Sequence, residues 1–376
     1  MVENNFFSND LSSLKNILNN SNKRIFLVTG KKSFIDSGAQ KKIKPYLKNK
    51  EVYRFSDFNV NPRIEDLKKG VQALFSFKAD IVIGIGGGSV LDMAKLINIV
   101  HAQDKIPAKK IVLDNNLINK KGLKLIAIPT TAGTGSEVTQ FAVIYLGDKK
   151  YSLDHELVLP DAYIIEPCFA YDLPPYIMAC AAFDALSQAT ESYWSIKSNN
   201  ESKQYAEQAI KIILKSLIPA VTKKDLHSIR LLFVAANLAG KAINITRTTA
   251  PHALSYPLTK FYDVPHGHAV ALTLGKFFII NASANKNIND QRGKKYISNT
   301  MNELYSLFGC DNEFKCKDKW YKIMEEASLE LDLKKLGVKN ISDVKKIISN
   351  INLERLNNNP VVLNQEDLKN IFNINL

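Results

Sequence analysis

A chain of 376 residues is long enough to build two hydrophobic cores, and with 45% hydrophobic and 23% charged residues it belongs among globular proteins, not disordered or fibrous ones. The formal charge of +13 comes from short lysine runs scattered beside asparagine and isoleucine, with no basic helix interleaved with aromatics, so neither nucleic acid nor a membrane surface is expected as a partner, while an anionic small molecule stays compatible. The start MVENNFFSNDLSSLKN has no secretory pattern, no apolar run reaches about 18 residues, and Cys168, Cys180, Cys310 and Cys316 form no C-x-x-C pair, which together predict a cytoplasmic protein with reduced thiols.

Arg24–Thr29 (RIFLVT) is a short apolar run that reads as a buried parallel strand. It ends at Gly30, followed by Lys31, Lys32 and Ser33. A helix near Gln40–Lys48 and a strand near Glu51–Phe55 are expected next. After Pro62, the residues Ile64, Leu67, Val71, Leu74 and Phe75 recur at helical spacing. Asp80–Ile85 (DIVIGI) is a third strand, and it runs straight into Gly86, Gly87, Gly88 and Ser89 and the helix SVLDMAKLINIV. Glycines at a strand-to-helix turn let backbone N–H groups approach a phosphate at the positive end of the helix dipole. Ser89 with Asp92 is expected to cap this helix. Leu123–Ile128 is another strand, leading through Pro129 into Thr130, Thr131, Ala132, Gly133, Thr134, Gly135, Ser136 and Glu137, small hydroxyl and glycine residues suited to ribose, phosphate or a carboxamide. The G-x-G-x-x-G fingerprint is absent, but two such turns at the ends of parallel strands predict an α/β nucleotide-binding domain.

From Pro174 onward long helical patterns replace the strands, and a boundary near Glu166 gives domains 1–166 and 167–376. On the expected helix Ile177–Trp194, Asp184 and Gln188 share a face, with Glu191 about one turn further along it. Helices near Glu201–Leu217 and Leu226–Asn244 follow. Three of the six histidines of the chain lie in PHALSYPLTKFYDVPHGH: His252, His266 and His268. Neutral imidazole is the commonest metal ligand, so the clustering predicts a divalent-metal site.

GIGGGSVLDMAK, IPTTAGTGSEVT, FDALSQATESYW and PHALSYPLTKFYDVPHGH, in this order, resemble the iron-containing (group III) alcohol dehydrogenase family. That resemblance implies an N-terminal Rossmann-like α/β domain and an all-α C-terminal domain (a dehydroquinate synthase-like fold), with the active site in the cleft between them. It also implies a metal held by Asp184, Gln188, His252 and His266. Gln188 stands where the family has histidine, which leaves iron or zinc open as the metal. The cofactor is expected to be NAD(P)H bound at Gly30, Lys31, the first glycine turn with Asp92, and Thr130, Thr131, Thr134 and Ser136. Gly30 replaces the acidic residue often found after the first strand of NAD-dependent members, and the lysines behind it suit a 2′-phosphate, so NADPH is favoured. His268 and Tyr256, beside a metal-linked water, are candidates for the proton donor, and by family analogy Lys150 faces the cleft as a contact for cofactor or substrate anion. The resemblance also implies a homo-oligomer, a dimer or larger.

A finer resemblance is to the phosphonoacetaldehyde reductase-like branch, carried by DALSQ, HGHA and the C-terminal ERLNNNPV. It implies reduction of phosphonoacetaldehyde to 2-hydroxyethylphosphonate, and a place in phosphonate metabolism. The alternatives are a general short-chain alcohol dehydrogenase, a cyclising lyase of the dehydroquinate synthase type, for which the few arginines show no cluster, and a non-catalytic nucleotide-binding module, suggested by Gln188.

Overall fold

The computed structural model describes residues 6–8, 10–18, 23–104, 106–147, 149–283 and 287–372. The chain divides into two compact units, residues 1–173 and 174–376.

The first unit is built on a sheet of six strands. These are β1 (Phe6–Ser8), β2 (Arg24–Thr29), β3 (Glu51–Phe55), β4 (Ile81–Gly86), β5 (Lys124–Pro129) and, after an antiparallel hairpin of β6 (Phe141–Leu146) and β7 (Lys149–Asp154), β8 (Ala162–Ile164). Their order is β1-β8-β5-β4-β2-β3, and every neighbouring pair is parallel. The chain winds outward from β2 to β3, then crosses to β4 on the other side. The carboxyl ends of β2 and β4 therefore flank the switch point, where open α/β sheets bind ligands.

Burial on both faces explains the unbroken apolar runs. Along β4, Ile81, Ile83 and Ile85 enter one core with Phe34, Ile126 and Phe169, while Val82 enters the other, which the helices α1 (Ile64–Phe77) and α2 (Gly88–Ala102) cover. Phe169 is 1% exposed in the first of these cores, which keeps the short turn Pro167–Ala170 with the sheet. The helix expected near Gln40–Lys48 is a short α-turn, Ala39–Ile43, that tightens into a 3-10 turn at Lys44–Leu47, because Pro45 has no N–H to continue the α pattern.

Lys95, on α2, is 1% exposed. Its Nζ donates to the Thr139 carbonyl at 2.8 Å, to Thr139 Oγ1 at 3.1 Å and to the Phe141 carbonyl at 3.1 Å, tying the β6–β7 hairpin to the helix. Burial pulls its pKa down to about 8, against the attraction of Asp92 and Glu137.

In the second unit α3 (Pro175–Trp194), α4 (Asn200–Lys223), α5 (Leu226–Thr246), α6 (Ala250–Tyr262) and α7 (His266–Ala282) pack together, and a short turn of helix, α8 (Leu353–Leu356), lies against α6. Among the described residues the only strand-like pairing here is the isolated bridge between Ile288 and Val361. Helix α5 is long and apolar enough to cross a bilayer by length and composition, although His227, Arg230, Asn237 and Lys241 keep it from being an unbroken apolar run. Its Ile229, Leu232, Phe233, Ala236 and Ile243 are instead buried inside the protein.

Candidate functional site

Helix α3 presents Asp184, Gln188 and Glu191 on one face, and all three are buried. Asp184 meets two histidines from the next part of the chain: His252 in the first turn of α6 and His266 as the first residue of α7. Their ligand atoms lie within 4.8 Å of one another. His252 Nε2 stands 3.5 Å and His266 Nε2 3.8 Å from Asp184 Oδ1. Gln188 Nε2 donates to the other oxygen, Asp184 Oδ2, at 3.3 Å. The glutamine thus fixes the carboxylate so that Oδ1 faces the imidazoles.

Glu191, noted in the sequence only as continuing the helix face, organises the pair. Its Oε1 accepts from Thr249 N at 2.9 Å, Thr249 Oγ1 at 2.9 Å and His252 N at 3.2 Å, and its Oε2 grips His252 Nδ1. With Nδ1 held, Nε2 is the nitrogen turned toward Asp184. Burial alone would depress the His252 pKa, but Glu191 and Asp184 outweigh it and raise the value to about 9. Ser255 Oγ lies 3.3 Å from His266 Nδ1 and orients that ring in the same sense. A carboxylate oxygen and two imidazole nitrogens, one imidazole backed by a second carboxylate, form a donor set that fits a divalent metal.

Gly267 makes the approach possible. A Cβ there would lie 1.9 Å from the Cys180 carbonyl and 2.9 Å from Asp184 Cβ, so only glycine lets α7 come close enough to α3 for His266 to reach Asp184. Tyr256, one turn beyond His252, stacks on the His266 ring with centroids 5.8 Å apart. His268 has both ring nitrogens engaged: Nε2 donates to the Glu330 carbonyl at 2.8 Å, which leaves Nδ1 to accept from Tyr176 Oη at 3.0 Å. Burial pushes its pKa down. A fully buried, doubly bonded imidazole serves as a strut between helices.

In the sheet unit the two glycine turns touch. Thr130 N donates to the Gly86 carbonyl at 3.0 Å. A Cβ on Gly88 would meet the Thr134 side chain at 2.7 Å, and one on Gly87 would meet Thr131 Oγ1 at 3.3 Å. The expected Ser89–Asp92 cap does not form. The cap of α2 is Gly87, in extended conformation and with no side-chain bond. Asp92 is taken instead by Ser136 Oγ at 2.7 Å and Val143 N at 3.0 Å, and it locks the second turn against α2. Burial raises the Asp92 pKa, with Lys95 the largest opposing influence and Lys150, half-buried on β7, a smaller one. An N-terminus left uncapped by any side chain can accept a phosphate. Ser89 Oγ stands 3.4 Å from Asn61 N.

At the end of β2, Lys31 pairs with Asp57 at 3.2 Å across exposed surface. The cation that sits on the Gly30 backbone is Arg54, from β3: its Nε donates to Thr29 Oγ1 at 2.8 Å and its Nη2 to the carbonyls of Gly30 and Lys31 at 2.9 and 3.0 Å. Nothing near Gly30 in the sequence points to it, because it arrives from the neighbouring strand.

A doubly wound parallel sheet with paired glycine turns, together with a helical unit that gathers Asp184, His252 and His266, defines the class of metal-dependent dehydrogenase folds. The family models agree: residues 3–167 match the iron-containing alcohol dehydrogenase model and residues 178–376 match the C-terminal model of the Fe-containing alcohol dehydrogenase family. The chain belongs to that family. It is 36% identical over 225 residues to long-chain-alcohol dehydrogenase 1 of Geobacillus thermodenitrificans, covering 59% of this chain and 57% of the relative. It is also 36% identical over 231 residues to a 1-propanol dehydrogenase of Citrobacter freundii, covering 61% of this chain and 59% of that one. The chain spans between 27% and 59% of the length of the curated relatives it matches. Among solved structures, the sulfoacetaldehyde reductase of Bifidobacterium kashiwanohense in complex with NAD+ has a TM-score of 0.85 at 27% identity, covering 97% of this chain and 95% of that chain. The iron-containing alcohol dehydrogenase of Thermotoga maritima has a TM-score of 0.79 at 27% identity, covering 98% and 95%.

Proposed function

We propose that this protein is an NAD(P)H-dependent, metal-assisted aldehyde reductase whose substrate carries an anionic group, with phosphonoacetaldehyde reduced to 2-hydroxyethylphosphonate as the specific reaction, and that it works as a cytoplasmic homodimer. The observation that carries this reading is the convergence of His252 Nε2 and His266 Nε2 on Asp184 Oδ1. The likeness to a sulfoacetaldehyde reductase, an enzyme named for an anionic aldehyde, supports the substrate class.

When bound, a divalent metal, iron or zinc, supplies a Lewis acid for the carbonyl oxygen and the reduced nicotinamide supplies the hydride. Asp184, His252 and His266 hold the metal. Glu191 fixes the His252 tautomer, and Gln188 fixes the Asp184 carboxylate. Aldehyde, NAD(P)H and one proton give alcohol and NAD(P)+, so a proton must reach the product oxygen; Tyr256, stacked on His266, is placed to pass it. In the sheet unit the first turn of α2 takes the diphosphate, Thr131 and Thr134 flank it, Asp92 and Ser136 keep the two turns in register, and Lys150 adds positive charge close to Asp92. Gly30 with Arg54 leaves the adenosine 2′ position free of any carboxylate and near a guanidinium, which favours NADPH over NADH.

Metal analysis of the purified protein, with NADPH oxidation measured on phosphonoacetaldehyde and propanal before and after chelation, tests the proposal. About one metal per chain and chelator-sensitive turnover that favours the phosphonate are expected. Turnover that survives complete removal of metal would overturn it.

A further inference from the structure

We infer that Arg355 is the residue that takes the charged end of the substrate, its guanidinium receiving a tetrahedral oxyanion while the carbonyl end lies at the Asp184, His252 and His266 cluster. This rests on the anionic-aldehyde reading above and names the side chain that would perform the recognition.

Arg355 lies on α8, where the Asn352 side chain accepts from its backbone N–H at 2.9 Å. The residue is 7% exposed. A guanidinium stays charged at all working pH and carries five N–H donors in a rigid fork, so burying one without a counter-charge is unfavourable by several kcal/mol. The carboxylates at hand do not supply that counter-charge. Glu354 Oε1 stands 3.9 Å from Nη1 on a side chain that is 74% exposed, a pairing that contributes little. Glu191 is committed to Thr249 and His252, and Asp184 to the metal cluster. What Arg355 does reach is the hydroxyl of Tyr256, which also lies within hydrogen-bonding reach of Thr248. The Tyr256 ring is the one stacked on His266.

A single aromatic ring therefore separates a buried, under-compensated guanidinium from a metal-binding imidazole. An aldehyde whose anionic group is one methylene from the carbonyl carbon is a short molecule of the kind that can touch both. The fork matches two oxygens of a phosphonate or a sulfonate at once, giving two charge-assisted hydrogen bonds. A methyl group in the same place leaves the guanidinium bare.

The test compares kcat/KM of the metal-loaded enzyme for phosphonoacetaldehyde, sulfoacetaldehyde and propanal in the wild type, Arg355→Met and Arg355→Lys, with calorimetric binding of 2-hydroxyethylphosphonate to the enzyme carrying metal and oxidised cofactor. In Arg355→Met the preference for the anionic aldehyde over propanal should fall by about 100-fold, two charge-assisted bonds being lost, and binding of 2-hydroxyethylphosphonate should weaken in step. Arg355→Lys keeps a point charge and should recover part of both. A ratio that stays at the wild-type value in Arg355→Met, whether both rates hold or both fall together, overturns the inference and leaves Arg355 as a prop for Tyr256. If Arg355→Met does not fold, Arg355→Lys decides by the same ratio: a drop of tenfold or more supports the assignment, and no drop overturns it. The relative response to the two anions in the wild type tells phosphonate from sulfonate. A wild-type enzyme that reduces propanal as well as either anion defeats the anionic-aldehyde reading itself and this assignment with it, an outcome read before any variant is made.

Discussion

Glu191 grips His252 twice, by the ring Nδ1 with one carboxylate oxygen and by the backbone N–H with the other. The second grip places the first turn of α6 and the first sets the tautomer, so one buried carboxylate determines both where the imidazole is and which nitrogen it offers. Replacing Glu191 by Gln keeps the shape but removes the charge and offers Nδ1 an amide. Metal affinity should fall roughly 10- to 100-fold. Competition against a chelating indicator measures this directly, and an unchanged affinity would mean that His252 needs no such partner.

Gly267→Ala should act on the same site without touching a ligand. The new methyl would press on the Cys180 carbonyl, 1.9 Å from the ideal Cβ position, and backbone cannot rotate away as a side chain can. Helix α7 must retreat and carry His266 with it. A stability loss of about 1 to 3 kcal/mol or more, together with loss of bound metal, is expected from thermal unfolding and metal analysis. A variant that retains full metal content would show that the helices have slack at this crossing.

His252→Ala and His266→Ala should each lose more metal affinity than Gln188→Ala. Each imidazole points a nitrogen at Asp184 Oδ1, whereas the Gln188 amide nitrogen bonds the carboxylate from its far side. Gln188→His, by contrast, adds a third imidazole as a fourth donor beside Asp184, His252 and His266 and should tighten binding. Equal losses in all three alanine variants, read by the same indicator competition, would make Gln188 a ligand of equal weight.

How much of this was legible depends on the distance over which each feature is specified. Strands β2 and β4 stand out because burial on both faces leaves no polar residue between Arg24 and Thr29 or along Ile81–Gly86, and Asp184, Gln188 and Glu191 fall on one face through helical spacing alone. The hairpin β6–β7 has no comparable signal, since its residues are only half-buried on one side, which dilutes the apolar pattern. The cap expected from Ser89 and Asp92 fails because Asp92 has stronger partners in Ser136 and Val143, residues too distant in sequence for a local pattern to register. Arg54 and Arg355 are the same case in sharper form. Each meets its neighbour only through the fold, Gly30 for one and Tyr256 for the other; Arg54 has no local sequence signature, and Arg355, although it lies in ERLNNNPV, is not marked there as a contact of Tyr256.

Lys95 makes stability depend on pH in a definite direction. Its pKa is about 8 in the fold against 10.5 for an ordinary lysine, so between these values the unfolded chain holds a proton that the folded one has released. Below pH 8 the penalty for burying the ammonium is fully present. As pH rises from about 8 to 10.5 the penalty is relieved, and stability should gain about 3 kcal/mol from this residue. Lys95→Met should be less stable overall, because the carbonyls of Thr139 and Phe141 lose their donor, but it should lack this part of the slope. Urea unfolding of both proteins across that range measures the difference, and parallel curves would mean that Lys95 stays protonated.

Gly30→Asp should weaken the proposed preference for NADPH. On the proposed cofactor placement, a carboxylate at this position would accept the adenosine ribose hydroxyls and repel a 2′-phosphate. Beside Arg54, whose Nη2 already bonds the Gly30 carbonyl at 2.9 Å, it also neutralises the cation that a 2′-phosphate would meet. The added Cβ lies 2.1 Å from Ser33 Oγ, so Ser33 must rotate aside, and Gly30→Asp with Ser33→Ala separates that crowding from the effect of charge. Binding of 2′,5′-ADP against 5′-AMP, followed by calorimetry, reads the 2′ position without any turnover. The wild type should prefer 2′,5′-ADP, and the double variant should lose that preference by at least roughly tenfold, about 1.4 kcal/mol. A ratio that does not move would place the 2′ position away from the end of β2, and with it would go the case for NADPH built on Gly30 and Arg54.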